Sequence, residues 1–182
     1  GQVYINSSYN FYSLYWPSSD IVKTVDNGAQ IGKWQYVTIT RSSNSCRIFV
    51  DGVLGGSGYS GSHATATSSQ AFGNSYGGLR IGGYTQNGGN VDGHISNLRI
   101  IKGTALYTSN FTPPTEPLTN VTNTKLLCCQ DKYSVTAKAV GPTLSKGGNA
   151  YTSDFSPFDD DTVSRANGYP VLNTSRARKA GT

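Results

Sequence analysis

Short runs of β-branched and aromatic residues recur along this chain, and each is closed within a few residues by Gly, Asn, Asp or Ser. Such a rhythm points to many short strands joined by tight turns, because Thr, Val, Ile and Tyr fit a pleated surface and Gly supplies positive φ. Residues 3–5 and 11–16 read as strands separated by Asn6-Ser7-Ser8-Tyr9-Asn10, and residues 21–25 as a third that ends at Asp26-Asn27-Gly28. Residues 34–41 (WQYVTITR) carry the strongest signal, with β-branched and aromatic residues on both faces, as a central strand requires. Residues 46–50 follow the turn Ser42-Ser43-Asn44-Ser45, and Asp51-Gly52 makes a two-residue hairpin turn into Val53-Leu54. Then come a loop-rich stretch at 55–78, a short strand at 79–81 and a loop at 82–89. Residues 91–101 (VDGHISNLRII) read as one long strand that is bulged or buried on both sides, and 125–130 (KLLCCQ) close the series. No segment sustains a 3.6-residue period, so almost no helix is expected.

Residues 131–182 have a different texture. They are polar and Gly-rich, with few apolar pairs beyond Phe155, Phe158 and Val171-Leu172. The expected organisation is a sandwich domain at 1–130 and an extended polar tail at 131–182 that runs over the sandwich or a neighbouring subunit, since it lacks the apolar content to fold alone. One echo links the two regions. Tyr107-Thr108-Ser109-Asn110-Phe111-Thr112-Pro113 resembles Tyr151-Thr152-Ser153-Asp154-Phe155-Ser156-Pro157. Two copies are too few for a repeat architecture, so they read as two similar docked turns.

Charge and cysteine content narrow the function. The net charge of +5 is scattered, apart from Arg176, Arg178 and Lys179 near the end. A nucleic-acid footprint would cluster on a stripe with interleaved aromatics, so no nucleic-acid partner is expected. No apolar run approaches the ~20 residues that span a bilayer, so no membrane partner is expected either. The three cysteines, Cys46, Cys128 and Cys129, cannot make a disulfide framework and read as small buried hydrophobes. On a strand, Cys128 and Cys129 would point to opposite faces, and a bridge from Cys46 to either stays open.

Catalysis finds little support in the residues. Glycoside hydrolysis generally needs two carboxylates about 5–9.5 Å apart. The single glutamate, Glu116, lies between Pro114 and Pro117, while Asp51 and Asp92 each precede Gly and read as turn residues. No serine sits in a strand-to-helix elbow, and His94, placed in the long strand, reads as hydrogen-bonded structure. No catalytic residue is assigned.

Residues 34–41, Ile48-Phe49-Val50-Asp51-Gly52-Val53 and Leu79-Arg80-Ile81-Gly82 resemble the laminin-G-like, concanavalin A-like jelly roll. The run from Asp92-Gly93-His94 through Ala105-Leu106-Tyr107, with Phe111-Thr112-Pro113-Pro114 and Leu126-Leu127, is similar to the version found in tail-fibre and other virion proteins of bacteriophages, notably those of cyanobacteria. The resemblance covers about residues 11–130. It implies an all-β fold, an antiparallel jelly-roll sandwich, with an extended C-terminal tail. Members of that family begin with further strands, so the opening strands of the pattern are expected to be absent from this chain. They would come from upstream chain or from another subunit, and Leu126, Leu127 and Cys128 would pair with one of them.

The function implied is a non-catalytic protein of the virion exterior, a tail-fibre or appendage adhesin that attaches to host surface glycans. The alternative is a structural decoration that packs on other virion proteins or on copies of itself and binds no sugar. For the adhesin, the loop chemistry nominates Tyr59, His63, Tyr76, Tyr84, Asn87 and Asn90, since a tyrosine face with Ser, Gly and Asn beside it suits the mixed surface of a sugar. No cofactor is implied. The resemblance admits calcium, with Asp51, Asp92 and Asn90 as its candidate ligands, although no two of them share a recognisable loop.

Overall fold

A computed structural model describes residues 2–6, 11–15, 20–24, 26, 28–58, 64–68, 78–83 and 89–158. Their regular structure is entirely antiparallel β, with no helix among the described residues. Among the described residues ten strands form three small sheets: β1 (Gln2–Asn6), β2 (Phe11–Tyr15) and β3 (Asp20–Lys23) in the order β1-β2-β3; β4 (Val37–Ser42), β5 (Ser45–Val50), β6 (Val53–Leu54) and β7 (Thr65–Thr67); and β8 (Leu98–Ile101), β9 (Thr124–Cys128) and β10 (Lys138–Val140) in the order β10-β9-β8.

The sandwich core lies between the first two sheets. Leu14 of β2 and Val22 of β3 meet Cys46 and Ile48 of β5 and Ala64 beside β7, all nearly free of solvent. Alternation explains the choice. Residues two apart on β5 point to one face, and Cys46, Ile48 and Val50 supply the apolar set there. Polar groups entering this layer are matched. Ser13 Oγ donates to the Val22 carbonyl at 3.2 Å, and the Tyr12 amide donates to Thr24 Oγ1 at 3.1 Å. Gln35 ties the following loop to the same layer, accepting the Tyr12 hydroxyl proton at 3.0 Å and donating to the Gly28 carbonyl at 2.8 Å.

The centre of the second sheet is β5 rather than the 34–41 segment. It pairs with β4 along one side and with β6 and β7 along the other, whereas β4 pairs only with β5 among the described residues. The aromatic residues Trp34 and Tyr36 precede β4 and face the tail and the 107–111 segment. That is why residues 34–41 carry apolar groups on both faces without being central.

The other face of β5 is buried too. Phe49 is fully enclosed, and Phe111 packs edge-on against it at 5.5 Å between ring centres. Two hydrogen bonds hold this returning segment on the hairpin: the Phe111 amide donates to the Gly52 carbonyl at 2.9 Å and the Leu54 amide to Asn110 Oδ1 at 2.9 Å. The β5–β6 turn is Asp51-Gly52, with φ of 50° and 79°. Both central residues are left-handed, as a type I′ hairpin requires.

Three further expectations change. The 91–101 run is not one strand: only Leu98–Ile101 is, because Asn97 takes φ 56° and ends the extended run, and His94 lies exposed outside any strand. Residues 79–81 form no strand. Nor does β9 await an absent opening strand, since it is flanked by β8 and by β10, with Val140 opposite Leu127. Gly141 at φ 121° lies against Lys125 and Leu126 where β10 leaves the sheet.

Gly52 and Gly58 provide a matched test of the Phe111 clasp. Both have φ near +79°, yet a Cβ at Gly52 would overlap the Phe111 carbonyl oxygen, whereas one at Gly58 meets nothing within 4 Å. Gly58→Ala should cost about 1–2 kcal/mol, the strain of a left-handed non-glycine residue. Gly52→Ala should cost at least about 2 kcal/mol more, because Phe111 must be displaced as well. Urea titration of the two variants measures the difference, and equal midpoints would show that Phe111 does not hold this turn.

Candidate functional site

Most of the glycan-binding residues nominated from the loops, namely Tyr59, His63, Tyr76, Tyr84 and Asn87, lie outside the described residues. Asn90 is described and exposed. It forms an isolated bridge with Gly83, and the Val91 amide donates to the Gly82 carbonyl at 2.8 Å. These two pairs hold residues 82–83 and 90–91 together, so Asn90 has a structural role there. Of the calcium candidates, Asp51 holds the hairpin turn and accepts the Tyr36 amide proton on Oδ1 at 2.8 Å, while Asp92 is exposed. Among the described residues no three His, Cys, Asp or Glu side chains gather in one place.

The described residues instead bring together a surface cleft that sequence reasoning missed. It has a volume of about 360 Å³ and is lined by Arg99 of β8, by Tyr107, and by the loop Pro114-Thr115-Glu116-Pro117-Leu118-Thr119. Each wall is fixed by contacts from elsewhere in the chain. Tyr107 lies flat on Phe111, with ring centres 3.6 Å apart and planes 10° from parallel, so the Phe49 clasp also orients the tyrosine. Arg99 donates from Nη1 to the Thr119 carbonyl at 2.9 Å, anchoring the far end of the loop.

Beneath the loop sits a knot of amides. Asn97 Oδ1 accepts from the Leu118 amide at 2.8 Å and from Gln130 Nε2 at 2.7 Å, and Gln130 Nε2 also reaches the Leu118 carbonyl at 2.7 Å. The Asn97 amide in turn donates to the Cys129 carbonyl at 2.9 Å. Leu118 is thereby buried while its neighbours Glu116, Pro117 and Thr119 stay exposed.

The electrostatics of the cleft are mixed. Tyr36 stands behind Tyr107, and burial raises its pKa first, with Tyr107 adding to the rise and the Arg99 guanidinium opposing it. Its hydroxyl therefore stays protonated through the neutral range. The cleft offers an aromatic ring, a guanidinium, threonine hydroxyls and one carboxylate, a set able to bind a polyhydroxylated ligand from several sides. The signals were in the sequence but scattered: a proline-flanked loop, a tyrosine in the first echo segment and an arginine eight residues before it. Only the return of 107–119 across β5 and β8 joins them.

The second echo segment docks on aromatic residues as well. Phe155 stacks on Trp34 at 5.4 Å and meets the His94 ring edge-on at 5.1 Å. Trp34 Nε1 is buried and has no hydrogen-bond partner among the described residues. Residues 159–182, with Asp159-Asp160-Asp161 and the basic end, lie outside the described residues.

The family emerges from comparison with known proteins. Residues 2–106 match the laminin-G-type model of the concanavalin A-like lectin/glucanase superfamily, and the chain belongs to that superfamily. No curated protein and no solved structure matches it. The three antiparallel sheets agree with a concanavalin A-like jelly-roll sandwich. Of the cleft residues, Arg99 falls inside the matched span, while Tyr107 and the 114–119 loop follow it.

If Phe155 shields Trp34, its removal should wet the indole. In a chain whose sole tryptophan is Trp34 (Trp16→Phe), Phe155→Ala should shift the emission to longer wavelength and increase acrylamide quenching about twofold or more. It should lower stability by only about 1–2 kcal/mol, since Phe155 remains 37% exposed. An unchanged spectrum would show that the tail does not cover Trp34 in solution.

Proposed function

We propose that this chain is a non-catalytic carbohydrate-binding module of a bacteriophage particle, displayed on the virion exterior and attaching it to host surface polysaccharide. The observation that carries the reading is the conjunction of a concanavalin A-like lectin/glucanase domain with a cleft whose lining pairs an aromatic ring with Arg99, Glu116 and two threonines. Supporting the virion setting is the resemblance of the Asp92–Tyr107 run and of Phe111-Thr112-Pro113-Pro114 to phage tail-fibre proteins. A cleft of ~360 Å³ is at the lower end of ligand-site volumes and suits one or two sugar residues, not a long chain.

The donor set supports a reading of binding without cleavage. Among the described residues Glu116 is the one carboxylate lining the cleft, and hydrolysis by acid and base, or by acid and nucleophile, needs two. In this reading Arg99 orients sugar hydroxyl or acidic groups with charge-assisted hydrogen bonds, and Tyr107 supplies an apolar surface next to them. The loop tyrosines Tyr59, Tyr76 and Tyr84, with His63, Asn87 and Asn90, constitute the competing position for the same activity.

A glycan array probed with the intact chain, followed by titration of the best hit, tests the proposal. Arg99→Ala should weaken retention about tenfold or more, the scale of a lost charge-assisted hydrogen bond, with no release of reducing ends from any polysaccharide. Loss on Tyr59→Ala, Tyr76→Ala or Tyr84→Ala, with Arg99→Ala unaffected, would move the site to the loops. Retention of no glycan at all would overturn the reading in favour of a structural decoration.

A further inference from the structure

The adjacent cysteines do not point to opposite faces. Cys128 ends β9 with its side chain buried, and Cys129 then turns into the left-handed region at φ 61°. That single rotation cancels the alternation of the strand and swings the second side chain back, so that the two sulfur atoms stand 3.6 Å apart. Cys46, by contrast, is enclosed among Leu14, Val22, Ile48 and Ala64 in the core of the first two sheets.

We infer that Cys128 and Cys129 form a reversible modification site, closing a disulfide with each other when they meet a small disulfide oxidant such as oxidised glutathione. Covalent closure requires the sulfurs to approach from 3.6 Å to about 2.05 Å, a movement of side-chain torsions within one turn. The turn is already in place. Cys129 holds its left-handed φ in the dithiol form, and its carbonyl is fixed by the Asn97 amide at 2.9 Å. Access is present as well, since Cys129 is only partly buried and Cys128 borders a shallow cleft of about 260 Å³ with Gln130, Asp131 and Lys138.

The Cys129 thiolate attacks one sulfur of the oxidant, forming a mixed disulfide and expelling one glutathione thiolate. Cys128 then loses its proton to water and attacks Cys129 Sγ, expelling the second. Two protein thiols are oxidised and one glutathione disulfide is reduced to two thiols. Burial raises both thiol pKa values, that of Cys128 to about 12 with Cys129 adding to the rise. Little thiolate is therefore present at neutral pH, and closure should accelerate as pH rises from 7 to 9.

Adjacent Cα atoms lie 3.8 Å apart across a trans peptide, closer than the ~4.4–6.8 Å of ordinary disulfides, so the bond is strained and readily reduced. It therefore suits a reversible lock better than a permanent staple. The lock would act on the Cys129–Asn97–Leu118–Gln130 knot under the Arg99 cleft. That consequence rests on the carbohydrate-binding reading, whereas the bond itself does not.

Trypsin separates the relevant thiols, because cleavage after Lys125 and Lys132 releases 126–132 (LLCCQDK) and cleavage after Arg41 and Arg47 releases 42–47 (SSNSCR). Folded protein is incubated with oxidised glutathione at pH 8, its free thiols are capped with N-ethylmaleimide in denaturant, and it is then reduced and alkylated with iodoacetamide. The expected result is two carbamidomethyl groups on 126–132 and N-ethylmaleimide on 42–47, with no glutathione adduct before reduction. N-ethylmaleimide on both cysteines of 126–132, a bridge to 42–47, a persistent glutathione adduct or a disulfide-linked dimer would each overturn the inference. Glycan retention by the oxidised and reduced forms is read separately, so failure of the cleft proposal leaves the mass result intact.

Discussion

Phe49 is enclosed from both sides, and much of the described structure follows from how that is achieved. One face of β5 is covered by the sheet carrying Leu14 and Val22, as in any two-layer sandwich. On the other face, among the described residues, a segment outside any strand packs over Phe49, with Phe111 set edge-on against the ring. Full burial of a phenylalanine is worth about 2–3 kcal/mol, and a well-oriented aromatic pair adds roughly 0.5–1.5 kcal/mol. The two hydrogen bonds beside it contribute about 1 kcal/mol each. Ring packing is thus the larger contribution, and the hydrogen bonds choose its register. Tyr107 lies on Phe111, so the position of the cleft wall is inherited from a core contact.

Local chemistry made much of the fold legible in the sequence. Alternation and turn residues located β1 to β6, and Asp51-Gly52 announced its hairpin, because these features depend on neighbours within a few positions. Strands β7 and β10 escaped notice for the opposite reason. Thr65-Ala66-Thr67 and Lys138-Ala139-Val140 are too short to show a period and become strands only through pairing with β5 and β9. Residues 91–101 misled because Asn97 looks like one more polar residue on an alternating strand. Its left-handed backbone and its amide knot with Leu118 and Gln130 come from partners twenty or more positions away. The cleft was illegible on the same ground, and the cysteine pair because a single φ reversal undoes the strand rule on which its reading relied.

The echo between 107–113 and 151–157 acquires a physical meaning. In each copy the phenylalanine is the docking residue: Phe111 meets Phe49 and Tyr36, and Phe155 meets Trp34 and His94. The flanking tyrosines diverge. Tyr107 is folded onto its own phenylalanine, whereas Tyr151 is largely exposed. The same seven-residue pattern therefore acts as a clip with two different seats, one in the core and one against the aromatic pair ahead of β4. The superfamily match stops at residue 106, and the first clip begins with the next residue.

The covering of Phe49 has a temporal consequence. The segment that closes over Phe49 arrives some sixty residues later in the chain, so the sheet around β5 must form with one apolar face open to water. Contacts of such long sequence separation carry a loop-closure cost that local hairpins avoid, and chains dominated by them fold slowly. During synthesis, a ribosome that has extruded the β4–β5–β6 hairpins has not yet delivered Phe111. The interval between the two is when this protein is most open to wrong partners, and a chaperone or a neighbouring copy that meets it then would find Phe49 still uncovered.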